Sequence, residues 1–220
     1  MSRANMLSTG LTLYHSPYSP HSRRGRIFIA EKGLEVKHIE VDLARGEQHE
    51  EAYRRINPRR VVPALVLADG TSIAEVTAIW RYLEGRYPET PMLGASIREA
   101  AMVTMWERRA ELDGLLPAVE AIRNVVTGAP GRALAGPHDY LRIPALAIRS
   151  RERVENFYAD INARLAQQEY VAGDYYSAAD ITCLVTLDFA KRALGMTISE
   201  DFTALKRWHG AVSSRPGAVA

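Results

Sequence analysis

The sequence predicts two domains, a small α/β domain over residues 11–86 and an all-α domain over residues 96–220. Strand and helix patterns alternate in the first part, in the order β-α-β-α-β-β-α. Two prolines and a change of composition mark residues 87–95 as a linker. No convincing strand pattern follows Ser96, and residues 1–10 are predicted to be an N-terminal tail.

The α/β part predicts a mixed sheet of four strands. Its third strand is a continuous apolar run followed by Asp69-Gly70, which is a strong hairpin signal. Because a right-handed crossover joins the first two strands, they run parallel, whereas the hairpin makes the last two antiparallel. The predicted strands cover residues 11–15, 35–41, 61–68 and 71–73, and the predicted helices cover residues 22–32 and 75–86, with the polar segment 47–56 in the second helical place.

The second part predicts helices joined by one long loop. Its first helical stretch is rich in Ala, Glu, Arg and Leu, with a possible bend near Pro117. The predicted helices cover residues 97–126, 149–168, 177–194 and 203–213, and the loop, rich in glycine and proline, covers residues 127–144.

Composition and charge argue against several classes of protein. With 47% apolar and 25% charged residues the chain is an ordinary globular sequence, and its net charge of +2 gives no reason to expect nucleic acid as a partner. No apolar run reaches the roughly 18–20 residues of a membrane span, and the first ten residues lack a secretory pattern. The single cysteine, Cys183, allows neither an intrachain disulfide nor a thiolate metal cluster. We therefore expect a soluble, cytoplasmic protein without a metal.

The segment Ser19-Pro-His-Ser22 follows the first strand and begins the first helix. A hydroxyl at a helix N-terminus can donate a hydrogen bond to a bound thiolate, and the helix dipole favours the same ionisation. A free thiol with a pKa of about 8.5 is only about 3% ionised at pH 7, so such a site would activate it. Capping of the helix is the alternative role for both serines. Since the segment holds no sulfur, it cannot itself exchange disulfides.

Three further features lie in the same domain. A cis bond at Val62-Pro63 would turn the Val62 backbone outward, where an extended peptide could pair with it. Glu75 and Val76 lie between a strand and a helix, where a carboxylate and free N–H groups could hold an α-amino and an α-carboxylate group. An acidic helix cap is the alternative for Glu75, and a plain surface position is the alternative for His49.

In this order and spacing, residues 11–86 resemble the thioredoxin-like, glutathione-binding domain of cytosolic glutathione transferases, and specifically a bacterial serine-type member. Residues 57–65 (NPRRVVPAL) are similar to the family's segment around a cis-proline, and residues 69–83 to its Asp-Gly…Glu-Ser segment. In the helical part, residues 173–180 (GDYYSAAD) resemble a family motif whose Ser and Asp form a capping box. Trp208 and Arg215-Pro216 complete the resemblance.

The resemblance implies a role for each of these residues. Ser19 would activate the glutathione thiol, with Ser22 as the alternative if the turn is shifted. Glu75 and the Val76 backbone would hold the γ-glutamyl end, His49 would reach the glycyl carboxylate, and Val62 would pair with the cysteinyl part. The implied glutathione-binding residues are His49, Val62, Pro63, Glu75 and Val76. Two positions depart from the family, Val76 where Ser is usual and Arg60 where Gly is usual.

The implied activity is attack of a glutathione thiolate on an electrophilic, hydrophobic second substrate, typical of detoxification. Glutathione is then a substrate, and no other cofactor is implied. Met105, Trp106 and Arg109 would line the second-substrate pocket, with core packing as the alternative. A catalytically silent regulatory or assembly module, and a glutathione-dependent peroxidase or dehalogenase, are the other readings. The resemblance also implies a homodimer.

Overall fold

Residues 7–125 and 133–220 are described by the computed structural model, and they divide into two units. The first unit holds the described chain up to Pro91 together with Ala135–Pro137 and Pro216–Ala220, and the second holds the helices that follow. Residues 1–6 of the predicted tail and part of the predicted loop 127–144 lie outside the described residues. Within the described ranges, no helix is long and apolar enough to cross a membrane.

In the described residues, the first unit is a four-stranded mixed sheet with three α-helices. The strands lie in the order β2-β1-β3-β4, with β1 parallel to β2 and antiparallel to β3, and β3 antiparallel to β4. This confirms the predicted fold class. The strands are β1 (Leu7–His15), β2 (Leu34–Glu40), β3 (Ala64–Val66) and β4 (Ser72–Ala74), and the helices are α1 (Pro20–Glu31), α2 (Glu51–Ile56) and α3 (Val76–Arg86).

The first strand begins at Leu7, so the prediction that residues 7–10 belong to a tail is wrong. The pairing of β1 with β2 shifts register between Ser8 and Thr12, and Gly10 lies in this irregularity with a φ of 67°. Glycine adopts this left-handed conformation without steric penalty. Because the bulge interrupts the alternation of side chains, the polar residues before Leu11 do not show a strand pattern.

The α1 and α3 helices share an apolar core beside the sheet. Phe28 of α1 stacks on Trp80 of α3 with ring centroids 5.2 Å apart, and both side chains are fully buried. Burial of side chains of this size stabilises a fold by about 2–3 kcal/mol each. A second cluster contains Val41, Tyr53 of α2 and Val62, so the segment before β3 is also anchored in apolar contacts.

The second unit is entirely helical in the residues described. Its helices are α4 (Ile97–Arg109), α5 (Leu116–Val125), α6 (Pro144–Leu165), α7 (Ala178–Leu194) and α8 (Thr203–Ser213). The long first stretch is interrupted by a π-helical segment, Ala110–Leu115. Within it, a Cβ at Gly114 would lie 2.7–2.9 Å from the Phe157 ring, so a side chain there would force the two helices apart. Since Pro144 can occupy the first turn, α6 begins five residues before its predicted start.

The buried helix α7 begins with the predicted capping box of Ser177 and Asp180. The Asp180 carboxylate is completely buried and accepts four hydrogen bonds, from the Val171 N–H, the Ser177 N–H and hydroxyl, and the Trp208 indole N–H. These bonds connect α7 to α8 and to the preceding loop. Burial raises the pKa of Asp180 to about 6, so the four donors only partly offset the loss of hydration.

Replacement of Asp180 by alanine is expected to lower the free energy of unfolding by about 3–5 kcal/mol, because four buried donors lose their common acceptor. Urea unfolding followed by circular dichroism measures this change. Asp160→Ala, which removes an exposed carboxylate from α6, should change the stability by less than about 0.5 kcal/mol. Equal decreases in the free energy of unfolding of the two variants would show that the buried hydrogen bonds of Asp180 contribute no more to stability than an exposed carboxylate does.

Candidate active site

Three of the predicted site segments meet at one edge of the sheet. Tyr14 of β1 pairs with Ala64 of β3, and Ala64 pairs with Ala74 of β4. The turn after β1, the Val62–Pro63 bond before β3 and Glu75 after β4 are therefore neighbours. Topology thus assembles residues that are more than fifty positions apart in the chain.

Ser19 is the N-terminal cap of α1. Its backbone is extended, with φ −80° and ψ 124°, and its side-chain oxygen accepts a hydrogen bond from the Ser22 N–H at 3.2 Å. Among the residues that the structure describes, its hydroxyl proton is donated to no acceptor, and the residue keeps 9% of its surface exposed. The hydroxyl therefore has a proton available for a ligand at the positive end of the helix dipole.

Ser22 has a different environment. The residue is completely buried, and its hydroxyl oxygen accepts the Ser16 N–H at 3.2 Å. This bond fastens the first residue of the turn to the first turn of α1. Ser22 thus stabilises the turn through this hydrogen bond, and its burial keeps it from direct contact with a ligand in this conformation.

Arg26 is a third group that holds the turn, and sequence reasoning missed it. Its Nη1 donates to the Ser16 carbonyl and contacts His15 Nδ1, both at 3.2 Å. Ser22 and Arg26 are four residues apart on α1 and so share a helix face. That spacing was the available signal, because both side chains then point towards the end of β1.

His15 and His38 lie together beneath the turn. Their rings meet edge to face with centroids 5.0 Å apart. Burial lowers the pKa of His15 to about 4, and the Arg26 and His38 charges act in the same direction. Burial and Arg26 also lower the pKa of His38. His15 is therefore neutral at pH 7, and its Nδ1 can accept a hydrogen bond from Arg26.

The Val62–Pro63 peptide bond is cis. Among the described residues, neither the N–H nor the C=O of Val62 has a hydrogen-bond partner. The neighbouring Val61 carbonyl is held by two donors, the Tyr53 hydroxyl at 2.6 Å and the Asn57 amide at 2.8 Å. The Val62 N–H and C=O are therefore available to pair with a ligand, while the hydrogen bonds to the Val61 carbonyl fix the preceding residue.

Arg60 adopts a left-handed conformation with a φ of 56°. Its N–H closes a turn on the Asn57 carbonyl at 2.9 Å. Glycine carries no penalty in this region, whereas other residues lose about 1–2 kcal/mol. The geometry thus gives a physical reason for the glycine expected at this position.

Glu75 also has a positive φ, of 73°, at the start of α3. Its carboxylate lies 3.7 Å from the Arg59 Nε, and both side chains are mostly exposed. The N–H groups of Val76 and Thr77 have no hydrogen-bond acceptor among the described residues. The Val76 side chain is buried in the core. The site therefore combines one carboxylate with two free N–H groups, but Val76 supplies no side-chain hydrogen bond.

The remaining predicted residues lie elsewhere. His49 ends a short 3-10 turn, Glu47–His49, and its Nε2 lies 3.2 Å from the Gln48 amide nitrogen. In the second unit, half-buried Met105 and Trp106 and exposed Arg109 lie on α4, where the Arg109 guanidinium stands 4.8 Å from the Trp106 ring centroid. A role for these residues in binding stays a prediction.

A cluster of Asp188, His209 and Ser213 in the second unit contains the residue types of a hydrolase triad. Asp188 Oδ1 lies 2.8 Å from His209 Nε2, and Ser213 Oγ lies 3.5 Å from the same nitrogen. In a triad the carboxylate and the serine bind opposite nitrogens of the imidazole. Because both groups meet one nitrogen here, the cluster does not have the geometry to activate Ser213.

Comparison with known proteins agrees with this fold. The family model for the glutathione S-transferase N-terminal domain matches residues 13–91, and that for the C-terminal domain matches residues 141–216. Glutathione S-transferase 2 of Saccharomyces cerevisiae is 30% identical over 209 residues, which cover 94% of this chain and 87% of the relative. The protein belongs to the glutathione S-transferase family.

Two further comparisons extend this result. The crystal structure of Gtt2 from Saccharomyces cerevisiae matches with a TM-score of 0.85 and 31% identity, covering 94% of this chain and 98% of that one. A disulfide-bond oxidoreductase of Escherichia coli, YfcG, is 28% identical over 213 residues, which are 94% of this chain and 91% of the relative. The similarity thus spans both units of the chain.

The buried histidine predicts a specific dependence of stability on pH. In the unfolded chain His15 takes up a proton near its ordinary pKa of about 6.5, whereas the folded protein resists protonation until about pH 4. The stability that it contributes is therefore complete above pH 6.5 and is lost as the pH falls towards 4. The maximum loss is about 3 kcal/mol.

We expect His15→Gln to flatten the pH dependence of the unfolding free energy between pH 7 and pH 4, relative to the natural chain. Urea unfolding at a series of pH values measures it. His138→Gln, at an exposed histidine of the second unit, serves as the control and should follow the natural chain. Parallel curves for all three proteins would contradict the argument.

Proposed function

We propose that this glutathione transferase activates the glutathione thiol at the Ser19 hydroxyl. The observation that carries the proposal is the meeting of three segments at one sheet edge, with the Ser19 hydroxyl proton available at the start of α1. A hydrogen bond from Ser19 and the positive end of the helix favour the thiolate over the thiol. A decrease of two units in the thiol pKa requires about 2.7 kcal/mol, which these two interactions can supply together.

Glutathione binding would use the other groups at this edge. The free N–H and C=O of Val62, beside Pro63, pair with the cysteinyl backbone in the manner of an added strand. The Glu75 carboxylate receives the γ-glutamyl ammonium group, while the N–H groups of Val76 and Thr77 receive its carboxylate. His49 is the proposed contact for the glycyl carboxylate. Because Val76 has no hydroxyl, we expect weaker binding of the γ-glutamyl end than a serine would provide.

The reaction itself requires little from the protein beyond activation and proximity. The thiol proton passes to solvent, and the sulfur lone pair forms a bond to an electrophilic carbon of the second substrate. The leaving group departs with the electron pair of the bond that breaks. Holding the two reactants together removes the entropic cost of their encounter.

We expect Ser19→Ala to retain glutathione binding but to lose up to about 30-fold in kcat at pH 7, since loss of the Ser19 hydrogen bond raises the pKa of the bound thiol back towards its ordinary value. Activity with 1-chloro-2,4-dinitrobenzene measures the rate, and calorimetry measures binding. The loss should diminish above pH 9, where the thiol ionises without help.

Ser96→Ala is the matched control, because Ser96 caps α4 in the same manner through a bond from the Glu99 N–H at 3.2 Å. It should cost similar stability and leave the rate unchanged. Equal activity in Ser19→Ala and the natural protein would contradict the proposed role. Absence of glutathione binding in the natural protein would favour the silent regulatory or assembly module.

Glutathione-dependent peroxide reduction is the second candidate function, because a relative is named a disulfide-bond oxidoreductase. The lone cysteine cannot take part, since Cys183 is fully buried and burial raises its pKa well above the ordinary value. Two glutathione molecules would therefore supply both sulfurs, with one peroxide reduced to an alcohol and water as one disulfide forms. Turnover of cumene hydroperoxide that exceeds conjugation would favour this candidate.

The proposal includes assembly and location. We expect a homodimer that acts in the cytoplasm on small electrophiles, as the resemblance to cytosolic transferases implies. Light scattering coupled to size exclusion would give twice the mass of one chain for the dimer. A single-chain mass at micromolar concentration would rule the homodimer out.

A further inference from the structure

We propose that Arg109 and Arg164, beside the Trp106 ring, form a binding site for the carboxylate of an aromatic second substrate. This inference rests on the proposed transferase function and specifies the chemistry of its electrophile. The three residues belong to the second unit, and the sequence pointed to Trp106 and Arg109 but not to Arg164.

The placement of the two guanidinium groups supports the proposal. Trp106 and Arg109 are three residues apart on α4 and share a helix face. Arg164 comes from the last turn of α6, and its guanidinium carbon lies 4.6 Å from the Trp106 ring centroid, against 4.8 Å for Arg109. The π-helical segment begins directly after Arg109, and such segments are frequent at functional sites.

The charges of the two arginines are not neutralised by an ion pair. Among the residues that the structure describes, no carboxylate lies within 4.0 Å of either guanidinium group. The Arg164 Nε donates to the Val171 carbonyl at 3.0 Å, which orients the group and leaves its two terminal nitrogens. Burial and the nearby charge of Arg109 lower the pKa of Arg164, while Asp174 acts in the opposite direction. Two like charges are thus held close together.

Two nearby arginines, unlike Arg109 and Arg164, form ion pairs with carboxylates among the described residues. Arg108 binds Glu111 at 2.6 Å, and Arg153 binds Asp113 at 3.3 Å. These two nearby arginines therefore each have a carboxylate partner. Arg109 and Arg164 instead face an indole ring, which attracts cations but does not cancel their charge.

An aromatic carboxylate fits this arrangement. The guanidinium fork matches a carboxylate in two parallel hydrogen bonds, and it also stacks on aromatic faces. The charged group of the ligand would balance the two cations, and its ring would pack beside Trp106. In the reaction, the glutathione sulfur bonds to a ring carbon, a carbon–chlorine bond breaks, and chloride leaves with the electron pair. The carboxylate takes no part in the chemistry.

Binding is measured first, without glutathione, using unreactive probes. Calorimetry compares the affinity for 3,5-dinitrobenzoate, an anion, with the affinity for 3,5-dinitrobenzamide, its neutral analogue. We expect the natural protein to bind the benzoate at least about 10-fold more tightly, since hydrogen bonds between two charged groups are stronger than those to a neutral amide. Arg109→Gln should lose most of that preference and leave binding of the benzamide within about 2-fold. Arg109→Lys should retain part of it.

Arg108→Gln is the matched control, because it removes a neighbouring arginine that already has a carboxylate partner. It should bind both probes like the natural protein. Equal affinity of the natural protein for the two probes would overturn the proposal, as would equal losses in the Arg108 and Arg109 variants. The latter result would show a general effect of surface charge.

Conjugation of 4-chloro-3,5-dinitrobenzoate and of its amide with glutathione then tests the role in catalysis. We expect kcat/KM to favour the benzoate in the natural protein, and Arg109→Gln to raise the KM for the benzoate more than the KM for the amide. If the benzoate binds through Arg109 but neither compound reacts, the anion site stands and the transferase proposal fails. If both react at equal rates with no preference, the transferase proposal stands and the anion site fails.

Discussion

The hydrogen bond from the Ser16 N–H to the buried Ser22 hydroxyl is the constraint on which the candidate site depends. It connects the end of β1 to the first turn of α1, so the turn between them has one conformation. Arg26 holds the Ser16 carbonyl on the other side of the same residue. Ser19 is then fixed at the start of the helix, with its hydroxyl proton directed to no protein group among the described residues.

Strand pairing in the sheet positions the other segments of the candidate site beside this turn. The pairing of Tyr14, Ala64 and Ala74 places three chain segments at one edge, and the buried cores beneath them set their relative positions. Arg60 and Glu75 both take positive φ values there. Such backbone strain is tolerated where the surrounding structure determines the conformation, and it is common at binding sites. The rigid edge thus presents unpaired backbone groups that a flexible loop could not hold in place.

Local patterns predicted most of the elements. The apolar run before Asp69-Gly70 indicated the hairpin, and the resemblance of residues 173–180 to a family motif implied the buried capping box. The start of β1 was missed because the bulge at Gly10 breaks the alternation on which a strand prediction rests. The π-helical segment was missed because Ala110–Leu115 has the composition of an ordinary helix. The contact of Gly114 with Phe157 becomes visible only in the folded chain.

Residues of the candidate site could be predicted from the sequence where a local pattern marks them. Residues that meet only through tertiary packing could not be predicted. Ser19 and Glu75 lie at helix starts, which sequence marks clearly. The pairing of Arg26 with His15, and of Arg164 with Trp106, joins elements that only the tertiary structure brings together. The sequence favoured Ser19 over Ser22 without showing their environments, and the structure shows that Ser22 is completely buried.

The most direct test of the account is the pKa of the glutathione thiol when it is bound to the natural protein. Ultraviolet absorbance of the thiolate, recorded against pH with glutathione at saturation, gives this value. We expect a midpoint about two pH units below the ordinary thiol pKa of about 8.5, because the Ser19 hydroxyl and the start of α1 stabilise the anion. A midpoint that stays near 8.5 would contradict it, since the turn would then bind glutathione without activating the thiol.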